Sequence, residues 1–403
     1  MKILLINNFH YLKGGSETVY FNTARLLEQA GHSVVFFSVK RDENISTPFS
    51  KYFIEDSTKL SKPKFLLKYF YDRNAAKKLE ELILAEKPDV AHAHLMWGCT
   101  APAIFHVLKK YRIPLIHTVH DYRMVCPAYT FRSGFKTCED CKGKYFYKCA
   151  IKRCNKGNFL MSVAMAAEMY YRNIFYNPTK NISGLIYVSN FARAIHEKYE
   201  PQFKDVPSMV LYNCTQVQNV QEKGRGNYFL YFGRLSHEKG VDLLIEVFKE
   251  MPGATLKVVG GGPEEGILKQ KATGCSNIEF HGIKHGEELH GLIRNAQFVI
   301  VPSQWYENNP MTIVESYSFG TPVIGSDLGG IPEIIENNKT GMIFKHDSKD
   351  SLLHTIRTGG DMSNHAYFEM SKKAYGFYKM HFSEMEYAGK LIEFYKRVLD
   401  KRG

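Results

Sequence analysis

Apolar residues along this chain fall in short, nearly unbroken runs separated by stretches of helical spacing, and the alternation starts at the first residues. Ile3, Leu4, Leu5 and Ile6 open a run over 2–9 that turns polar at Asn7 and Asn8; 16–30 has a helical period, and 33–39 is apolar again. Runs apolar at successive rather than alternate positions predict strands buried on both faces, hence a parallel sheet covered by helices. Strands are further expected at 90–93, 115–119 and 185–188, with helices at 75–85 and 101–111. Residues 41–70 show no clean period and predict loop with a short helix. The segment 200–227, rich in Pro, Gln, Asn, Gly and charge, predicts a linker. The alternation then resumes, with strands at 228–232, 255–259, 278–280, 298–301 and 322–324 and helices at 240–250, 287–295 and 310–319. The expected fold class is α/β, with two Rossmann-like, doubly wound domains facing each other across a cleft. They are expected at 1–205, with a cysteine-rich insertion at 126–154, and at 206–382. A helix within 383–403 is expected to return to the first domain.

A length of 403 residues suits two such domains. No window approaches the ~18 consecutive apolar residues of a membrane span, and the opening run is too short for a signal peptide. A cytoplasmic protein is therefore expected. The net charge of +12 is unevenly spread: residues 1–200 hold 30 Lys and Arg against 17 Asp and Glu, and residues 201–403 hold 23 against 24. The first half thus carries +13 and the second −1. Such a first half either faces an anionic partner, such as a membrane surface, a lipid phosphate or nucleic acid, or is a solvated basic face.

The clearest local chemistry lies at 302–315. A strand ends at Val301, Asn309 is a natural helix cap with Pro310 at the first position, and Gly320 with Pro322 stops the helix. The free amides of that helix start suit hydroxyl or phosphate oxygens. Glu307 falls in the loop and Glu315 inside the helix, so they do not form a glycosidase pair on one face and read as hydroxyl-binding groups. A second motif has Gly233 at a strand end, then Arg234 and Lys239, five apart on a loop that leads into a helix. Together they can clamp a diphosphate and neutralise it as it leaves. A third is Gly260-Gly261-Gly262. Position 265 is Glu, so the G-x-G-x-x-G pattern fails, and the chain has no P-loop; a dinucleotide dehydrogenase and a P-loop NTPase are disfavoured. In the first half, Gly14 and Gly15 precede Ser16, a natural cap, and Glu17. His120 and Asp121 end a strand, while His92, His94 and His117 read as core or supporting histidines.

In this order and spacing the motifs resemble glycosyltransferase family 4, the retaining members of the GT-B fold, with Glu307 and Glu315 as its E-x7-E signature. The resemblance spans nearly the whole chain and is densest at 228–345. It implies a hexosyltransferase that moves a sugar from a nucleotide-sugar donor, with uridine the expected base, to a glycan or lipid-linked acceptor with retention of configuration. It further implies that Arg234 and Lys239 carry the leaving-group charge and that Glu307 and His120 orient the sugar. Glu315 would take the ribose hydroxyls, and Gly15, Gly233, Gly262, Ile283, Asn309, Met311 and Thr312 would line the donor. The acceptor side would include Gly14, Glu17 and Asp121, and the setting would be bacterial surface polysaccharide assembly. With no Asp-x-Asp sequence in the chain, no catalytic metal is expected. An epimerase or a phosphorylase of the same fold is the nearest rival.

The cysteines depart from the minimal family pattern. Cys126, Cys138, Cys141, Cys149 and Cys154 occupy 29 residues, with Cys138 and Cys141 at zinc-knuckle spacing. Structural zinc on Cys126, Cys138, Cys141 and Cys154, with Cys149 spare, stands beside inert packing and redox chemistry as readings of this cluster. With the basic first half, the cluster also suggests a rival of another class, a zinc-ribbon nucleic-acid binder; that reading leaves both glutamates unexplained, and no nucleic-acid partner is expected. The following stretch, 159–175, is apolar and rich in Met and Tyr. It reads either as a core helix or as a segment resting on an anionic membrane, which would make the protein peripheral at the inner face of the cell membrane.

Overall fold

The computed structural model describes residues 1–98, 100–134, 136–216 and 224–401. Two six-stranded parallel sheets dominate it. The first contains β1 (Lys2–Ile6), β2 (Ser33–Phe37), β3 (Val90–Ala93), β4 (Leu115–Val119), β5 (Gly184–Tyr187) and β6 (Ser208–Val210), in the order β6-β5-β4-β3-β1-β2. In register, Leu4 lies against Val35 on one side and Ala91 on the other. Strands β3 and β4 are buried at every position, as unbroken apolar runs require when helices cover both faces. The second sheet contains β7 (Tyr228–Phe232), β8 (Thr255–Val259), β9 (Ile278–Gly282), β10 (Phe298–Val301), β11 (Val323–Ser326) and β12 (Gly341–Phe344), in the order β9-β8-β7-β10-β11-β12. Strand order therefore reverses between β7 and β10, whose Leu230 and Val299 are in register. In an open α/β sheet the crevice beyond the carboxyl ends of such a pair is where ligands bind.

The chain separates into two compact units. One comprises Met1–Gly134, Cys138–Tyr212 and Tyr387–Gly403, and the other is formed mainly by Asn213–Glu386. Residues from Tyr387 onward belong to the last helix, Glu384–Asp400, and are pinned to the first sheet by its aromatic face. Tyr395 Oη lies 2.6 Å from His92 Nδ1, and Tyr387 Oη lies 2.9 Å from the Thr23 hydroxyl. In the second unit, the helix Asn364–His381 sends Tyr367 and Met370 into a core built on Phe229, Ile300 and Ile324.

Several expected boundaries move. The first strand stops at Ile6, because Asn7 and Asn8 turn aside to bond the β3 end: Asn8 N donates to Leu95 O and Leu95 N to Asn7 Oδ1. The stretch read as a linker contains a short helix, Pro201–Asp205, and β6, which pairs with β5; residues 217–223 of that stretch lie outside the described ones. The helix Gly15–Gln29 starts one residue early on Gly14, so Ser16 is not its cap. Ser16 sits inside the first turn and donates to Glu17 Oε1 at 3.2 Å. Asn309 does not cap the helix Met311–Ser318 either; Pro310 occupies the cap position without a side-chain bond. Among the described residues, no helix is long and apolar enough to cross a membrane.

Candidate active site

The second sheet presents its chemistry at the carboxyl ends of β7, β8 and β10, on loops locked together through backbone. After β7, Gly233 N donates to Val259 O at 3.0 Å, and Leu235 N to Gly261 O at 2.9 Å. Gly260, at a φ of +136°, passes so close that a Cβ on it would fall 1.9 Å from Gly233 O, and Gly262 has no room for a Cβ beside the Leu235 backbone. The loop after β10 is tied in as Gln304 N donates to Glu238 O at 2.8 Å. Ile283, which follows β9, lies with its exposed side chain over Gly261.

On this frame Lys239 and Glu307 meet. Lys239 Nζ donates to Glu307 Oε1 at 2.7 Å, and the Ser303 hydroxyl donates to the same oxygen at 2.8 Å. Glu307 is buried, and Lys239 is 26% exposed, so the ammonium closes one side of the carboxylate and still reaches solvent. The backbone of Glu307 is clamped as well. Gly330 N donates to its carbonyl at 2.6 Å, and Gly329, at a φ of +64°, packs where a Cβ would come within 2.3 Å of that oxygen. Arg234 sits on the same loop as Lys239; its carbonyl accepts from Tyr231 Oη, and its side chain is exposed.

Glu315 lies two turns further, in the helix Met311–Ser318 whose first residues are Met311 and Thr312. Its half-buried carboxyl finds no hydrogen bond or counter-charge among the described residues, and burial raises its pKa from 4.5 to about 7. A carboxyl in that state is destabilising as it stands, and carboxyls of this kind are concentrated at functional sites. Two buried donors nearby in sequence, Trp305 Nε1 and Asn309 Nδ2, are also without partners.

Asn309 misses its expected cap because another residue claims its amide. Asn213 N donates to Asn309 Oδ1 at 2.9 Å, and Asn213 Nδ2 donates to Asn309 O at 3.0 Å. This reciprocal pair spans 96 positions and fixes the loop just ahead of the helix. Ser303 and the Gly329–Gly330 turn are the parts sequence reasoning missed. For that turn, two successive glycines a few residues after a strand are the one signal the sequence offers.

In the first unit, His120 follows β4, and its Nε2 lies 2.9 Å from Nδ1 of buried His94, the rings stacked at 5.1 Å. Burial holds His120 down at about 3 and His94 well below its ordinary range, so both rings are neutral at pH 7. Asp121 accepts from Arg123 N at 2.9 Å, and burial raises its pKa. Gly14, at the cap of the helix Gly15–Gln29, and Gly15, its first residue, are exposed, and Glu17 in its first turn is buried with a raised pKa.

The described cysteines are free thiols. Among the described residues, no group of three or more His, Cys, Asp or Glu side chains is placed to hold a metal ion, although Cys141 lies near enough to Cys126, Cys138 and Cys154 for their charges to raise its pKa, behind burial as the larger cause. The Cys149 thiol donates to the Cys154 sulfur, which lowers Cys154 to about 7 and raises Cys149.

Comparison with known proteins gives the family. The family description "Glycosyltransferase Family 4" matches residues 13–217, and "Glycosyl transferases group 1" matches residues 215–365. A 42.6 kDa protein in the cps region of Klebsiella pneumoniae is 25% identical over 83% of this chain and 87% of its own length. The O-antigen biosynthesis glycosyltransferase WbnH of Escherichia coli is 32% identical over 30% of this chain and 34% of its own. The crystal structure of HepE from Anabaena, in complex with UDP and glucose, superposes with a TM-score of 0.64 at 17% identity, covering 98% of this chain and 99% of that one. With one family description covering more than half its length, and two parallel six-stranded sheets that match solved structures of the GT-B fold, the chain belongs to glycosyltransferase family 4.

Proposed function

We propose that the protein transfers a hexose from a UDP-sugar to a glycan or lipid-linked acceptor with retention of configuration, in the assembly of a bacterial surface polysaccharide. The observation that carries this reading is the partnerless, half-buried carboxyl of Glu315, held on the same short segment as the Lys239–Glu307–Ser303 network. Glu315 accepts from the two ribose hydroxyls, and the amides of Met311 and Thr312 at the helix start meet donor oxygens. Arg234 and Lys239 take the charge of the departing diphosphate, and Glu307 orients the sugar hydroxyls. His120, neutral, contributes a hydrogen bond to the sugar rather than a charge.

In this scheme the bond from the anomeric carbon to the diphosphate oxygen breaks as the acceptor oxygen bonds to that carbon on the same face. The acceptor proton passes to the departing phosphate oxygen. No protein nucleophile is needed; catalysis rests on positioning and charge stabilisation. The UDP in HepE and the cps and O-antigen settings of the two relatives support the choice of donor and pathway. The test is to supply UDP-glucose, UDP-galactose and UDP-N-acetylglucosamine with lipid-diphosphate-linked acceptors and read the anomeric coupling of the product by proton NMR. Retained configuration is expected. An inverted product, or turnover of donor without any acceptor, contradicts the reading.

A further inference from the structure

The helix Phe159–Phe175 in the first unit is apolar on both faces and turns its charge inward. A water-facing helix normally turns charge outward and apolar residues inward. Here the only two charged residues, Glu168 and Arg172, are buried and paired at 3.3 Å. The Arg172 guanidinium also lies 4.3 Å from the Trp97 ring centroid and donates to Arg123 O. The outward positions run Phe159, Leu160, Val163, Tyr170, Ile174 and Phe175, with Leu160 74% and Ile174 73% exposed. Ile151, on the short helix before it, and Leu67, on the neighbouring helix Lys62–Phe70, are equally open apolar residues. Phe70 and Tyr171 hold those two helices together, ring centroids 5.4 Å apart. An apolar surface of this continuity marks a contact site rather than scattered exposure.

Charge identifies the occupant. From 142 to 180 the chain carries Lys142, Lys144, Lys148, Lys152, Arg153, Lys156, Arg172 and Lys180 against the single acid Glu168. Glu168 and Arg172 cancel inside, and Lys144 and Lys152 are paired with Glu200 and Asp140. Of the others, Lys156 and Arg153 immediately precede the helix, and the Arg153 guanidinium lies 5.9 Å from the centroid of the Phe159 ring. A second copy of the chain would bring these cations against each other across a two-fold contact. An anionic bilayer takes both parts at once: side chains enter the acyl boundary while Lys and Arg stay at the headgroups. We infer that the outward face of Phe159–Phe175 and its basic flank seat on the interface of an anionic lipid membrane. This inference does not depend on the transfer reading.

The test is co-sedimentation of the full chain with vesicles of phosphatidylcholine, alone or mixed with phosphatidylglycerol. Binding to the mixed vesicles is expected. The double variant Leu160→Glu/Ile174→Glu, changed only at open positions and checked by an unaltered melting curve, should lose at least about tenfold in partitioning. In Lys142→Gln/Arg153→Gln/Lys156→Gln, each lost cation should weaken binding to the mixed vesicles about fivefold. UDP-sugar binding by the same variants should be unchanged, which separates this surface from the donor site. Equal binding by the Glu double variant, equal binding to both vesicle types, or a concentration-dependent dimer that the double variant abolishes in place of lipid binding would each overturn the inference.

Discussion

Replacing Glu315 by Gln should stabilise the protein while weakening its hold on nucleotide. The side chain is half-buried without a partner, and its pKa stands at about 7 against 4.5 for an exposed glutamate. The folded carboxyl thus keeps its proton up to about pH 7, and the unfolded one releases it near 4.5. Between those values the folded state binds more protons, so stability falls as pH rises. Below pH 4.5 the group has no effect; above pH 7 its whole cost applies. At about 1.4 kcal/mol per pKa unit, and discounting for the solvent that still reaches the carboxyl, that cost is about 2–3 kcal/mol. Gln keeps the shape and never ionises. By scanning calorimetry of the ligand-free protein, the variant should melt on the order of 5–10 °C above wild type at pH 8, with the difference vanishing toward pH 4.5. A difference that stays constant with pH, or a variant less stable at pH 8, refutes the reasoning, because only the ionisation supplies a pH-dependent gain. Wild-type UDP affinity should rise from pH 6 to pH 8, since the ionised form accepts the ribose hydroxyls, and the Gln variant should lose both that slope and about tenfold or more in affinity.

Arg234→Ala should leave the melting temperature within error and lower kcat by about a hundredfold, because the side chain is exposed and its charge is used only as the diphosphate leaves. Lys239→Ala should lower the rate similarly and also destabilise by on the order of 1–2 kcal/mol, since it strips the buried Glu307 of its counter-charge; unchanged transfer kinetics in either variant removes that residue from the mechanism. Gly329→Ala, forced onto the Glu307 backbone at a positive φ, should destabilise by about 1–3 kcal/mol in urea titration and impair transfer with it, and a neutral result would show that the turn does not hold Glu307. Iodoacetamide should modify Cys154 ahead of the other thiols, with a rate that climbs as pH passes about 7 and drops at neutral pH in Cys149→Ala; mass spectrometry showing first reaction elsewhere contradicts the Cys149–Cys154 bond.

The sheets were legible because their strands are apolar on both faces, a pattern that depends on neighbours in sequence alone. Phe298–Val301 is buried at every position and could hardly be read otherwise. The site loops were legible for a related reason: Gly233, Gly240 and Pro310 punctuate the chain, and the spacing of Glu307 and Glu315 survives without any knowledge of contacts. What failed was whatever a distant partner decided. Asn309 has the right side chain and position to cap a helix, yet Asn213 takes its amide from 96 residues away. Ser16 lost its role to a helix that started one residue sooner on Gly14. Ser208–Val210 is too short and too evenly half-buried to show a period, and becomes a strand only because β5 offers it an edge. In Phe159–Phe175 both faces are apolar enough that no moment reveals which one is inside; the buried Glu168–Arg172 pair decides it.

On the proposed function, the two glutamates of the segment 303–315 are held differently for a reason. Glu307 is fixed from every side: an ammonium and a hydroxyl on one oxygen, an amide on its carbonyl, a glycine turn against its backbone. A group that must orient a sugar while charge develops gains by being immobile before substrate arrives, since reorganisation during the reaction would add to the barrier. Glu315 is left bare, and its desolvation is a standing destabilisation that binding can relieve. Energy released there, at the nucleotide end and away from the reacting carbon, is available to hold the sugar in a reactive pose. On this reasoning the two carboxylates divide the work, Glu307 by rigidity and Glu315 by unmet need, and exchanging their surroundings would disable both.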